Sequence, residues 1–370
     1  MSKSMSTLTA ASLRGNLPRA SLDARAIVRL AKNPHCQRLT ALTLVGSSPD
    51  KVMNHVFGVH VRESQSRFAL AKGVRFENIQ CENGAARLLA SLQDASIISS
   101  TDLAVRDLKK ETGGIRNKKA AMQRAIELTD EILKCKAKGD PSAPNVMLQA
   151  ALGVPLGTGE QACVRPDILV SRTNEPMYRP GDMKSYSFLH SFTDQQDVSQ
   201  ASAQVGVYGM ALERRLQYLN INARVPTDGI IVMVRPGGLQ SVAKLQNIER
   251  DISVALRIID IRPRTLVEVA AAIGGSDMKL DNKMAILRLR PCYNGRCRTF
   301  CALHDICRGE ATTQDNPALL GEDAEALFSA AGCTISRVAQ LVAGAVPVTP
   351  DEAALQKRML ELETERRLAS

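Results

Sequence analysis

The chain has 370 residues, 44% of them hydrophobic, with 48 Lys and Arg against 38 Asp and Glu and a formal net charge of +10. That length can bury a large core, and no apolar run approaches membrane-spanning length, so a soluble protein with no membrane partner is expected. The basic balance favours a polyanion such as nucleic acid. The absence of Trp and the 3% aromatic content argue against base stacking, so nucleic acid is expected to be held through its phosphates. Residues 1–14 are Ser/Thr-rich and lack the continuous apolar core of a secretory signal, from which a cytoplasmic location is expected.

In chain order, residues 20–45 read as helix through Ala24, Ile27, Val28, Leu30 and Ala31, broken at Pro34, which leaves Cys36 near the start of the next segment. A second helical stretch spans 64–92, carrying Phe76 and Glu77 and running on to Leu88 and Leu89. Residues 96–140 are strongly charged, with Arg106, Lys109, Lys110, Arg116, Lys118, Lys119 and Arg124 ahead of Glu127, Asp130 and Glu131. They predict one or two amphipathic helices broken at Gly113-Gly114, a solvated face being preferred to a DNA-facing ridge. After the turn-rich 139–144, strands are expected at 146–152, 164–171 and 177–187, the last two joined by Thr173-Asn174-Glu175-Pro176. Residues 194–219 predict a helix capped by Asp194, with Ala201, Val205, Leu212 and Leu216 on one side. Ile230 to Val234 has the length and apolarity of a buried strand. Helices at 240–260 and 263–274, a strand at 284–290, and helices at 322–345 and 350–369 complete the order.

That order predicts an α/β fold with a central mixed sheet around 146–236, wrapped by N- and C-terminal helices. The expected organisation is a helical region over 1–95, a charged helical insertion over 96–145 and a core over 146–290. A cysteine cluster at 291–310 and a helical region over 311–370 follow.

The acidic and basic residues of the core form a series. Asp167 lies in Arg165-Pro166-Asp167-Ile168-Leu169-Val170, Asp182-Met183-Lys184 follows, and Gln204-x-x-x-Tyr208 closes it. Two carboxylates brought together across a hairpin make a site for Mg²⁺ or Mn²⁺, and Lys184 points to the same face as Asp182. The Met183 carbonyl could add a backbone oxygen, and Glu77 is a candidate for a further metal ligand. Lys184 could position a water or stabilise transition-state charge. Gln204 and Tyr208 share a helix face and could contact the scissile phosphate or orient Lys184. The set suits phosphodiester hydrolysis.

Pro166-Asp167 with Asp182-Met183-Lys184 resembles the PD-(D/E)xK nuclease signature, and Gln204-x-x-x-Tyr208 resembles the extra motif of that superfamily's RecB-like branch. Gly73-Val74-Arg75-Phe76-Glu77 is similar to the branch's first motif, with an acid where histidine is commoner. The resemblance covers roughly residues 36–310. It implies a restriction-endonuclease-like core and metal-dependent cleavage of DNA, single-stranded or at duplex ends, by an exonuclease or an end- and flap-processing enzyme. It also implies a setting in prokaryotic repair or antiviral defence, with a helicase or other repair and defence proteins as partners. Two rivals are a nucleic-acid-binding subunit without turnover and a restriction-type endonuclease.

Four of the nine cysteines, Cys292, Cys297, Cys301 and Cys307, fall within sixteen residues, which points to metal or cluster ligation. Cys297, Cys301 and Cys307 resemble the C-terminal cysteines of iron–sulfur RecB-like nucleases, of the AddB-type helicase–nucleases and the CRISPR-associated exonucleases. Cys36 has the position of their upstream cysteine. The resemblance implies a 4Fe–4S cluster on these four thiolates. The C-x3-C spacing and the extra Cys292 depart from the pattern, so a site using Cys292 in place of Cys36 stays open, as does structural zinc. Cys81, Cys135, Cys163 and Cys333 are expected as buried free thiols, and His35 and His304 as neighbours rather than ligands.

Overall fold

A computed structural model describes residues 8–20, 23–61, 67–155, 161–187, 195–235, 240–260, 262–275, 277–293 and 297–368. The expected helix cap Asp194 lies outside them. The chain divides into two compact units, each assembled from separate stretches of sequence. One comprises 21–32 and 65–264, the other 1–20, 33–64 and 265–370.

The first unit is α/β. Its six-stranded mixed sheet has the order β1-β2-β5-β6-β7-β8, with β1 at Val105–Asp107, β2 at Val146–Leu148, β5 at Ile168–Val170, β6 at Arg179–Ser187, β7 at Asp228–Val234 and β8 at Ser241–Asn247. A separate two-stranded sheet pairs β3, Leu152–Pro155, with β4, Gln161–Val164. β5 runs antiparallel to β2 and to β6, whereas β6 and β7 are parallel. A parallel pair needs a long crossover, and the Gln195–Tyr218 helix supplies it.

Apolar clusters cover both faces of this sheet. Met147, Leu169, Ile231 and Met233 pack with Val205, Tyr208 and Leu212 of the crossover helix, while Val146, Ile168, Val170, Ile230 and Val232 pack with Phe76, Leu88 and Leu92. Alternate residues of β7 therefore enter different cores, which is why Ile230 to Val234 is apolar without a break.

Several elements differ from the sequence expectation for physical reasons. The 146–152 strand stops at Leu148 because Gln149 turns into the left-handed region at φ 54°. The 164–171 strand is divided, since β4 ends at Val164 and β5 starts at Ile168 around Pro166, which lacks a ladder donor. Residues 241–247 are the edge strand β8 and the helix begins only at Glu249. Val105–Asp107, inside the expected charged helices, is β1, and helices Leu108–Thr112 and Lys118–Ala137 follow on either side of the expected glycine break.

The second unit is helical among its described residues. Leu13, Leu42, Val45, Val52, Ile273, Ile286 and Leu303 share one core. The expected strand at 284–290 is instead the helix Lys283–Arg288, started by Asn282, whose side chain accepts from the Met284 amide at 2.8 Å. The expected 322–345 helix is two, Glu322–Ala330 and Ile335–Val342, parted at Gly332 with φ 63°. These two pack with the Pro350–Leu368 helix around Phe328, Cys333, Val338, Leu341 and Leu355. No described helix is long and apolar enough to cross a membrane.

Candidate active site

The antiparallel register of β5 and β6 sets Ile168 opposite Gly181, so one step outward Asp167 stands across from Asp182. Both share the face of Leu169 and Ile231, toward the crossover helix. The Met183 amide donates to Asp167 Oδ2 at 2.8 Å and ties the two positions together. Gly181 permits this closeness, because a Cβ there would lie 2.7 Å from Ile168 Cγ1 and 3.0 Å from Ile230 Cβ.

Lys184, two residues along the same strand, places its Nζ 2.5 Å from Asp182 Oδ2 and donates to Gln204 Oε1 at 2.9 Å. The Gln204 amide donates to the Tyr208 hydroxyl at 2.5 Å, and that hydroxyl donates to Asp182 Oδ1 at 3.4 Å. The i,i+4 pair on the crossover helix thus closes a ring around Asp182 and Lys184. Asp182 and Tyr208 are buried, while Lys184 keeps 22% of its side chain exposed and can meet a ligand from solvent.

Glu77 arrives from the Arg67–Cys81 helix. Its Oε1 accepts from Gln149 Nε2 at 2.8 Å and lies 3.9 Å from Lys109 Nζ. Gln149 Nε2 also approaches Asp167 Oδ1 at 3.4 Å, linking the helix carboxylate to the strand carboxylate. Arg165 acts electrostatically on Glu77, and its Nε is buried with no hydrogen-bond partner among the described residues.

The electrostatics follow from crowding. Burial, then the Asp182 charge and hydrogen bond, holds the Asp167 carboxyl well above the usual range. Burial also raises Glu77, against the pull of Lys109 and Arg165. The Tyr208 phenol is pushed up by burial and by the charges of Asp182 and Asp167, so it stays a donor. Among the described residues no three His, Cys, Asp or Glu side chains converge in metal-ligand geometry. N–H donors hold the carboxylates in place, Lys184 on Asp182 and Gln149 between Glu77 and Asp167. As a donor set, the carboxylates of Glu77, Asp167 and Asp182 are hard oxygens of the kind Mg²⁺ or Mn²⁺ takes.

The structure therefore brings Glu77, Asp167, Asp182, Lys184, Gln204 and Tyr208 together. It places the Met183 side chain in the opposite apolar core while its amide serves Asp167. Gln149 was not singled out in the sequence. Its signal was its place as the one polar residue in Val146-Met147-Leu148-Gln149-Ala150-Ala151-Leu152.

In the helical unit, Cys36, Cys297, Cys301 and Cys307 line one small cavity together with Cys292, His304 and Asn33. Burial pushes up the Cys301 thiol, and Cys36, Cys307 and Cys297 add to the shift. Burial likewise raises Cys307 to about 11, opposed by Arg38. Two further residues serve these sulfurs: Arg38 donates to Cys307 Sγ at 3.3 Å and Asn33 to Cys297 Sγ at 3.5 Å. As a donor set, thiols with N–H groups aimed at Cys297 and Cys307 are of the kind a cluster or a soft metal takes, while among the described residues no three of them stand in ligand geometry. His304 pairs with Asp305 at 3.0 Å, and His35 is exposed. Of the remaining cysteines Cys333 is buried, whereas Cys81, Cys135 and Cys163 are only half-buried, so the expectation of four buried thiols holds for one.

No family model and no curated protein matches the chain. Among solved structures it is similar to one described as the crystal structure of SSO0001, with 12% identity and a TM-score of 0.21 over 50% of this chain and 87% of that one. A likeness that slight carries no argument.

Proposed function

We propose that this protein is a divalent-metal-dependent DNA nuclease of the PD-(D/E)xK type, with a restriction-endonuclease-like core of the RecB-like branch. The observation that carries the reading is the pairing of Asp167 with Asp182 across β5 and β6, with Lys184 on the same face and bound to Asp182 and Gln204. Glu77, Asp167 and Asp182, with the Met183 carbonyl, would hold Mg²⁺ or Mn²⁺, which supplies Lewis acidity and an activated water at phosphorus.

The protein's own groups account for the rest. Lys184 brings a cation to the cleft where negative charge develops on the phosphate oxygens, and Gln204 restrains its ammonium. Tyr208 donates to Asp182 and fixes the rotation of that carboxylate. Lys109, which is exposed, and Arg165 add positive charge beside Glu77, where a phosphate backbone would approach. Cys36, Cys297, Cys301 and Cys307 would hold a 4Fe–4S cluster, with zinc and with Cys292 as the competing metal and ligand.

The test is cleavage of single-stranded, double-stranded and flapped DNA with Mg²⁺ or Mn²⁺, run beside Lys184→Ala and Asp182→Ala. Each variant is expected to lose roughly 10²–10³-fold or more in rate while DNA binding persists, because charge stabilisation acts in the transition state. Wild-type cleavage by Asp182→Ala would sink the assignment.

A further inference from the structure

Gln149 has a backbone that its residue type does not favour and side-chain contacts that explain why it is there. Its φ of 54° lies in the left-handed region, which glycine enters freely and a residue with a Cβ does not. Leu148, Ala150, Ala151 and Leu152 around it are fully buried, so the chain here is otherwise built for packing. The turn is held by the Gln149 amide, which donates to the Asp167 carbonyl at 2.9 Å. That same turn delivers Nε2 to Glu77 Oε1 at 2.8 Å and toward Asp167 Oδ1 at 3.4 Å.

We propose that Gln149 is the positioning residue that sets the spacing of Glu77 and Asp167, and thereby the divalent-cation affinity of the candidate site. The proposal rests on the metal-dependent reading above. Its logic lies in the chemistry of the amide. A lysine or arginine between two carboxylates would neutralise them and compete with the cation. A glutamate would repel both. A glutamine holds two anions by hydrogen bonds while leaving their charge for a metal. Glu77 needs such a restraint, because it comes from a helix whereas Asp167 and Asp182 are fixed by strand register. Its ion-pair partner Lys109 has 59% of its side chain exposed and is a weak tether.

The experiment is a Mn²⁺ titration of the full chain, by calorimetry and by loss of the free-ion paramagnetic resonance signal, beside thermal unfolding in chelator. The variants are Gln149→Gly and Gln149→Met, with Asp182→Ala as control. Gln149→Met keeps the length and removes the donors; Gln149→Gly removes the donors and also relieves the backbone. Both are expected to weaken Mn²⁺ binding about 10–100-fold, as loss of a group that orients a ligand does. Gln149→Gly should do so with an unfolding midpoint no lower than wild type, a divergence that a purely structural role would not produce. Wild-type Mn²⁺ affinity in both variants would overturn the proposal and leave the nuclease reading in place. Affinity lost only in step with the unfolding midpoint would also overturn it. Mn²⁺ binding that is unaffected by Asp182→Ala would overturn the metal-site reading and this proposal with it.

Discussion

At the scale of single residues, the candidate site is a problem in crowding. Asp167 and Asp182 stand opposite one another across β5 and β6, with Asp182 buried and Lys184 paired to it alone of the two. The raised Asp167 carboxyl carries a consequence for stability. A carboxyl whose value in the fold lies above its unfolded value favours folding while it is protonated, and that advantage is lost as pH rises through the raised value. Asp167→Asn removes the charge while a side-chain oxygen can still accept from the Met183 amide. In chelator, the variant should match wild type below about pH 4, the ordinary carboxylate range, and melt progressively higher than wild type as pH rises above it. It should also be inactive, the common exchange between stability and function at an active site. Thermal melts of both proteins from pH 3 to 8 check the sign, and a variant that melts lower than wild type at pH 8 would refute it.

At the scale of elements, strand register does most of the positioning, and this explains which parts of the site were legible in the sequence. A period of two along β6 places Asp182 and Lys184 on one face, and a period near four on a helix places Gln204 beside Tyr208, so both pairs could be read from spacing alone. Gln149 could not be placed this way, because its contact with Glu77 joins residues 72 positions apart through a left-handed turn. Two elements misled for a similar reason. Val242 and Leu245 have helical spacing, yet β8 pairs along its whole length with β7. Leu287 and Leu289 alternate with Arg288 and Arg290 like a strand, yet the Asn282 cap starts a helix that buries Ala285 and Ile286. The prediction at this scale concerns Gly181. Adding a methyl group there forces it against Ile168 and Ile230, so β5 must move from β6 and Asp167 from Asp182. Gly181→Ala is expected to cost about 1–3 kcal/mol in urea unfolding, the usual range for overpacking, and to lower cleavage as well. Unchanged unfolding would mean that the strands have slack.

At the scale of the whole molecule, the order of the chain sets the fold's organisation. Residues 33–64 and 265–370 meet in one helical unit, with the 65–264 stretch folded separately between them in sequence. Within that unit Arg38 is buried, donating to the carbonyls of Ile286 and Leu289 at 3.0 Å each and to Cys307 Sγ, and pairing with Glu310 at 2.6 Å. Asn33 spans Cys292 O at 2.8 Å and Cys297 Sγ. The N-terminal segment that carries Cys36 is therefore fastened to the C-terminal cysteines by side chains that were silent in the sequence, since a buried arginine looks like any surface one until its partners are known. Both Cys36 and Cys292 line the cavity, and substituting each in turn separates the two ligand sets. If Cys36, Cys297, Cys301 and Cys307 hold the cluster, protein purified without oxygen should be brown and carry about four irons per chain. Metal binding energy is then folding energy, so Cys36→Ser should lower the unfolding midpoint as far as Cys301→Ser, with Cys292→Ser mild by comparison. The local alternative forecasts the reverse, Cys292 essential and Cys36 dispensable. Colourless protein with stoichiometric zinc would replace the cluster by a structural metal, and the carboxylate site of the other unit would still stand or fall on its own assay.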